Sequence, residues 1–81
     1  MQPIKLTLYS RPECHLCEAL LEQVLPLVGE RATIEHVDVD SSIALERRYG
    51  LRIPILAAGD LEITGYPLDR AAVERFLASL P

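Results

Sequence analysis

Cys14 and Cys17 are the only cysteines in this 81-residue chain, with His15 and Leu16 between them. Reversible thiol chemistry needs a thiolate that attacks, a second thiol that resolves the mixed disulfide, and surroundings that stabilise the anion. Cys17, Leu20, Leu21, Val24, Leu25 and Val28 recur at intervals of three and four, so residues 14–29 read as an amphipathic helix with both cysteines in its first turn. On a helix, a spacing of three brings the two sulfurs within bonding reach. At that end the unpaired backbone N–H groups and the positive pole of the helix dipole favour a thiolate. Cys14, first and more exposed, is expected to attack, and Cys17, deeper on the apolar side, to resolve. The alternative is a pair of inert buried thiols, since free cysteine is among the most buried residue types.

The neighbours pull in both directions. Glu13 places a carboxylate beside Cys14 and opposes its ionisation. His15, when protonated, would help to hold the Cys14 thiolate; otherwise it is an exposed spacer. His36 falls in a later strand-like run and reads as a strand residue. Two cysteines and two distant histidines do not supply the four ligands of a structural zinc site, so no metal ligands are assigned. A soft-thiolate reading, Cu(I) or a shared iron–sulfur cluster, stays open as an alternative.

The elements that must position the sulfurs follow from periodicity. Ile4, Leu6 and Leu8 alternate with Lys5, Thr7 and Tyr9, which predicts a strand over Ile4–Ser10 leading straight into the cysteines. Pro26 should kink or end the helix nearby, with Gly29 as terminator. Residues 33–39 predict a second strand, and Asp40 or Ser41 an N-cap for a short helix over residues 42–49 that Gly50 stops. Residues 53–57 and Leu61–Thr64 form a hairpin pattern around Ala58-Gly59-Asp60. A last helix is predicted with Pro67 at its first position, Asp69 in its first turn, and Leu68, Ala72, Phe76, Leu77 and Leu80 along one face. The order β-α-β-α-β-β-α implies an α/β fold with one mixed four-stranded sheet and helices on both faces.

Length and composition allow one domain, spanning residues 1–81, with an adequate but small core. Apolar residues make up 49% and charged residues 25%, which argues against disorder. The net charge of −4, without a Lys/Arg cluster, gives no support to nucleic-acid binding. No apolar stretch approaches the roughly 20 residues of a membrane span, and no signal-peptide pattern opens the chain, so membrane association is not expected and the location is read as cytoplasmic. The acid is concentrated in the first 40 residues, where three basic residues face seven acidic ones. That imbalance biases the segment around the cysteines toward basic partners, or simply marks a solvated helix face.

Tyr9-Ser10-Arg11-Pro12-Glu13-Cys14-His15-Leu16-Cys17 resembles the strand-to-helix active-site segment of the glutaredoxin-like branch of the thioredoxin superfamily, and Tyr49-Gly50-Leu51-Arg52-Ile53-Pro54-Ile55-Leu56 is similar to the segment that carries its cis-proline. With the element order, the likeness covers nearly the whole chain and is greatest to small bacterial glutaredoxin-like proteins. It implies a thioredoxin/glutaredoxin-like fold and a thiol-disulfide oxidoreductase that works through Cys14 and Cys17 on protein or glutathione-mixed disulfides. No bound cofactor is implied, glutathione enters as a co-substrate, and the chain is expected to act as a monomer. Substrate contacts carried over by the likeness fall on Arg11, His15, Leu16, Ile53, Pro54, Gly65 and Asp69. Arg11 stands where the family often has a lysine that meets the thiolate and a glutathione carboxylate; an exposed loop arginine is the alternative. Ile53, ahead of a cis Pro54, would offer its backbone to an extended substrate. The family's glutathione grip, Gly-Gly followed by two acids, is matched only by Gly65 and Asp69, and Asp69 could equally serve the helix dipole. A metal-binding module and a non-catalytic thioredoxin-like interaction domain are the competing functions.

Overall fold

The computed structural model describes residues 3–81. Its elements are β1 (Ile4–Ser10), α1 (His15–Val28), β2 (Ala32–Asp38), α2 (Ile43–Tyr49), β3 (Ile55–Ala58), β4 (Leu61–Thr64) and α3 (Arg70–Ala78), with 3-10 turns at Gly29–Arg31 and Val39–Ser41. The four strands form one sheet in the order β2-β1-β3-β4. β1 runs parallel to β2, while the β1–β3 and β3–β4 pairs are antiparallel. This is the mixed sheet of the expected α/β fold.

Strand alternation divides the core in two. Leu6 and Leu8 of β1 and Leu56 of β3 point to one face, where Leu20, Val24 and Val28 of α1 and Val73 and Leu77 of α3 complete the larger cluster. Tyr9, Ile55 and Ala57 point the other way and pack with Val39 and with Tyr49 of α2. The register explains the division, because Leu8 lies opposite Leu56 and Tyr9 opposite Ile55. Helices therefore cover both faces, with α1 and α3 sharing one.

Several boundaries differ from the sequence expectation. α1 continues through Pro26 and ends at Val28, because Pro26 is exposed while Val24 and Val28 on the buried stripe keep the last turn docked. Gly29 then turns the chain with φ +53, the left-handed region that glycine tolerates. The N-cap of α2 is Ser42, not Asp40 or Ser41; its Oγ accepts the Leu45 N–H at 3.3 Å. Asp40 and Ser41 belong to a separate turn, in which Asp38 accepts the Asp40 N–H at 2.8 Å. β2 and β3 are each displaced by a residue or two from their predicted ranges; Pro54 has no N–H to give a ladder, so β3 starts at Ile55. α3 starts three residues after Pro67, because Asp69 supplies the cap by accepting the Ala72 N–H at 3.0 Å. Leu77 is buried and Leu68, Phe76 and Leu80 pack against the same core as expected, and Val73, which the pattern did not single out, is the most deeply buried residue of α3.

Two small residues hold connections in place. Thr64, buried at the end of β4, accepts the Asp69 N–H at 2.9 Å and donates to the Gly65 carbonyl at 3.1 Å, fastening the loop that leads to α3. Gly50 closes α2 beneath the Glu46 side chain, where a Cβ would stand 2.5 Å from both the Glu46 carbonyl oxygen and its Oε1.

Candidate active site

β1 delivers the chain to a short turn, Arg11 to Glu13, and the turn delivers it to α1. Glu13 has φ +60, left-handed and uncommon for a residue with a side chain. Cys14 is extended (φ −98°, ψ 103°) and is the N-cap rather than the first helical residue. Its Sγ accepts the backbone N–H of Cys17 at 3.2 Å, and its carbonyl accepts the Glu18 N–H at 3.1 Å. Sulfur thus takes the place of the oxygen that Ser or Asp brings to an N-cap, so the first turn of the helix directs a donor at Cys14.

Cys14 and Cys17 are joined by a disulfide, with their Cα atoms 5.3 Å apart. Their surroundings differ: Cys17 is 4% exposed, on the α1 stripe that faces the core, whereas Cys14 is only half-buried. Both line a groove of about 400 Å³ between the start of α1 and the end of β2. Leu8 and Leu21 give it an apolar floor, and Glu13, Glu18, His36 and Asp38 give it polar walls. The parallel register places these strand residues together, His36 beside Leu8 and Asp38 beside Ser10.

Arg11 reaches this groove but is held by carboxylates. Its Nη2 donates to Glu46 Oε2 at 2.7 Å and its Nε to Asp40 Oδ1 at 3.3 Å. Partial desolvation works against the charge, but the Glu46 hydrogen bond and the two carboxylates outweigh it and raise the Arg11 pKa. The cation beside the sulfurs is therefore already compensated. His15 is almost fully exposed, with Nδ1 4.0 Å from Glu18 Oε2. Leu16, between the cysteines, is 51% exposed.

The remaining predicted residues lie across β1 from this groove. Ile55 is opposite Tyr9, so Ile53 and Pro54 join the sheet at the end where β1 leaves for Cys14. The Ile53–Pro54 peptide is cis, as is Tyr66–Pro67. Pro54 is fully buried, and Ile53 packs against the smaller core cluster. Gly65 backs onto Pro54, since a Cβ there would meet the Pro54 carbonyl oxygen at 3.3 Å. Asp69 caps α3 with its carboxylate. Behind this end of the sheet Tyr9 stacks on Tyr49, centroids 4.0 Å apart and planes 15° from parallel. Burial, with the Tyr49 hydroxyl beside it, pushes the Tyr9 phenol up.

Sequence reasoning did not single out Glu18, Leu21, His36 or Asp38 as groove residues. The signal was present in the β-α-β pattern, because a parallel partner of the strand before the cysteines must bring its last residues alongside them. Among the described residues, no group of three or more His, Cys, Asp or Glu is placed to hold a metal ion, and no helix is long and apolar enough to cross a membrane.

Comparison with known proteins points the same way. No curated protein sequence matches the chain. A solved structure from X. campestris, the structural-genomics target protein XcR50, is 34% identical, with a TM-score of 0.74, and the match covers 94% of this chain and 99% of that one. Residues 5–78 match the family described as Glutaredoxin-like domain (DUF836). A thioredoxin-like fold and a Cys14–Cys17 pair at a helix start suit a thiol redox role. The chain therefore belongs to the glutaredoxin-like domain family.

Proposed function

We propose that the protein is a thiol-disulfide oxidoreductase that reduces or exchanges disulfides through Cys14 and Cys17. One observation carries the reading: a half-buried Cys14 sulfur accepts the Cys17 N–H at 3.2 Å at the head of α1, while its bonded partner Cys17 is buried. An accessible sulfur that receives a helix N–H is the better nucleophile and leaving group of the two, and a sheltered sulfur three residues on is the resolving thiol.

In the reduced protein, the Cys14 thiolate attacks one sulfur of the substrate disulfide. The substrate S–S bond breaks, a mixed disulfide forms on Cys14, and the first substrate thiolate leaves and takes up a proton. Cys17, deprotonated, then attacks Cys14 Sγ and expels the second substrate thiolate. Two electrons pass from the dithiol to the substrate, and an external thiol reductant returns them. No resident cofactor is required. The Ile53 backbone, displayed ahead of Pro54, is the proposed docking edge for an extended substrate. Gly65 sits against it, and Leu16 offers apolar contact. Disulfide-containing proteins and glutathione-mixed disulfides are the candidate substrates, with the chain acting as a monomer in the cytoplasm.

The test is reduction of insulin and of a glutathione-mixed disulfide, with the Cys14→Ser and Cys17→Ser proteins in parallel. Cys14→Ser is expected at background. Cys17→Ser is expected to complete the first attack and accumulate a mixed disulfide, visible as added mass. A wild-type rate equal to that of Cys14→Ser on both substrates would end the proposal.

A further inference from the structure

The groove beside the sulfurs is not the docking edge at Pro54. It lies on the other side of β1, because β1 is flanked by β2 on one side and β3 on the other. His36 and Asp38 of β2 and Glu18 and Leu21 of α1 line it, together with Glu13 and both cysteines. Two surfaces therefore flank Cys14, and only one of them is the proposed backbone edge.

Three carboxylates, Glu13, Glu18 and Asp38, line this groove. Arg11 also lines the groove, but its guanidinium is matched by Asp40 and Glu46, which lie outside the lining. Asp38 spends one oxygen on the Asp40 N–H, and Glu18 has only a 4.0 Å approach from His15. His36 adds positive charge only when protonated. The uncompensated balance is negative, and the floor of Leu8 and Leu21 is apolar. A lysine or arginine side chain has the complementary make-up, an aliphatic stem with a cationic head. Glutathione does not, since it brings more carboxylate than ammonium.

We propose that this groove is a subsite for a basic residue flanking the substrate cysteine, so that the protein acts on disulfides in basic protein segments in preference to glutathione disulfide. The proposal rests on the oxidoreductase reading and names its substrate class. Attraction by three exposed carboxylates is steered at long range and screened by salt.

The experiment uses two disulfide-linked peptides that differ only in carrying Lys or Glu beside the cysteine. Bis(2-hydroxyethyl) disulfide serves as an uncharged reference, dithiothreitol as reductant, and Cys14→Ser as the background. Each kcat/KM is divided by the value for the uncharged disulfide with the same protein. At low ionic strength the Lys peptide is expected to be favoured over the Glu peptide by about tenfold, the scale of a few exposed charge pairs. Half-molar salt should remove most of the preference. Asp38→Asn keeps the cap on the Asp40 N–H while removing charge, and combined with Glu18→Gln it should cut the preference at least by half, Glu13 keeping the remainder. A ratio near one in the wild type, a preference for the Glu peptide, or a preference untouched by both salt and the double variant would overturn the proposal while leaving the oxidoreductase reading intact. Absence of Cys14-dependent turnover of the uncharged disulfide would remove both.

Discussion

Glu13 and Cys14 are adjacent residues under opposite constraints. Glu13 holds φ +60, which costs a residue with a Cβ about 1 kcal/mol or more, and it lines the same groove as Cys14. Glycine meets that backbone without steric cost, whereas a β-branched side chain meets it badly. Glu13→Gly is therefore expected to be more stable than Glu13→Val by about 1–2 kcal/mol in urea unfolding, and equal midpoints would refute the strain argument. At Cys14 the Cys17 N–H is the stabilising contact, because Arg11 is committed to Glu46 and Asp40. The pairing of cysteines was legible in the sequence from spacing and periodicity. The commitment of Arg11 was not, since it depends on side chains from a turn and a helix remote in sequence, and only folding brings Asp40 and Glu46 to it.

At the scale of elements, long periodic segments were readable and their ends were not. β1 and the stripe of α1 follow from alternation and from the three-and-four pattern, whereas Asp38, Asp40, Ser41 and Ser42 all have capping side chains within five residues, and local preference does not rank them. Packing does, by placing Val39 in the core and so forcing a turn before α2. Thr64 was equally silent, because one buried hydroxyl leaves no periodic trace, yet it joins β4 to the start of α3. Thr64→Val retains the shape and removes the acceptor of the Asp69 N–H. A loss of about 1–3 kcal/mol in unfolding free energy is expected, with Thr64→Ser losing less; if Val were tolerated as well as Ser, the hydroxyl would have no structural role.

Across the whole molecule, the two sheet faces are secured differently. The α1–α3 face depends on aliphatic packing, while the α2 face adds polar ties over a smaller cluster. Arg52 donates to both carboxylate oxygens of Glu62, at 2.7 and 3.1 Å, linking the segment after α2 to β4, and Arg48 and Arg52 stand 5.1 and 5.6 Å from the centre of the Tyr49 ring. Hydrogen bonding from Arg52 holds the Glu62 carboxyl below its usual range, against a smaller opposing effect of desolvation. A depressed folded pKa means that the pair's contribution is complete above the unfolded carboxylate value and fades as the pH drops through the lower folded value. The pair is open to solvent, so its contribution is small and screened by salt. Glu62→Gln should be less stable than the wild type at neutral pH and match it in strong acid; a stability difference independent of pH would contradict this.

The bare backbone of Gly50 has an effect beyond ending α2. It is the space into which the Glu46 carboxylate folds, and Glu46 is one of the two anions that occupy Arg11. One added methyl group would collide with that carboxylate and with the Glu46 carbonyl oxygen, so the last turn of α2 would shift as the carboxylate leaves and the arginine is half-released. Gly50→Ala is then expected to loosen the end of α2 and, through the freed Arg11, to make the reduced protein's ultraviolet thiolate signal develop at lower pH than in the parent.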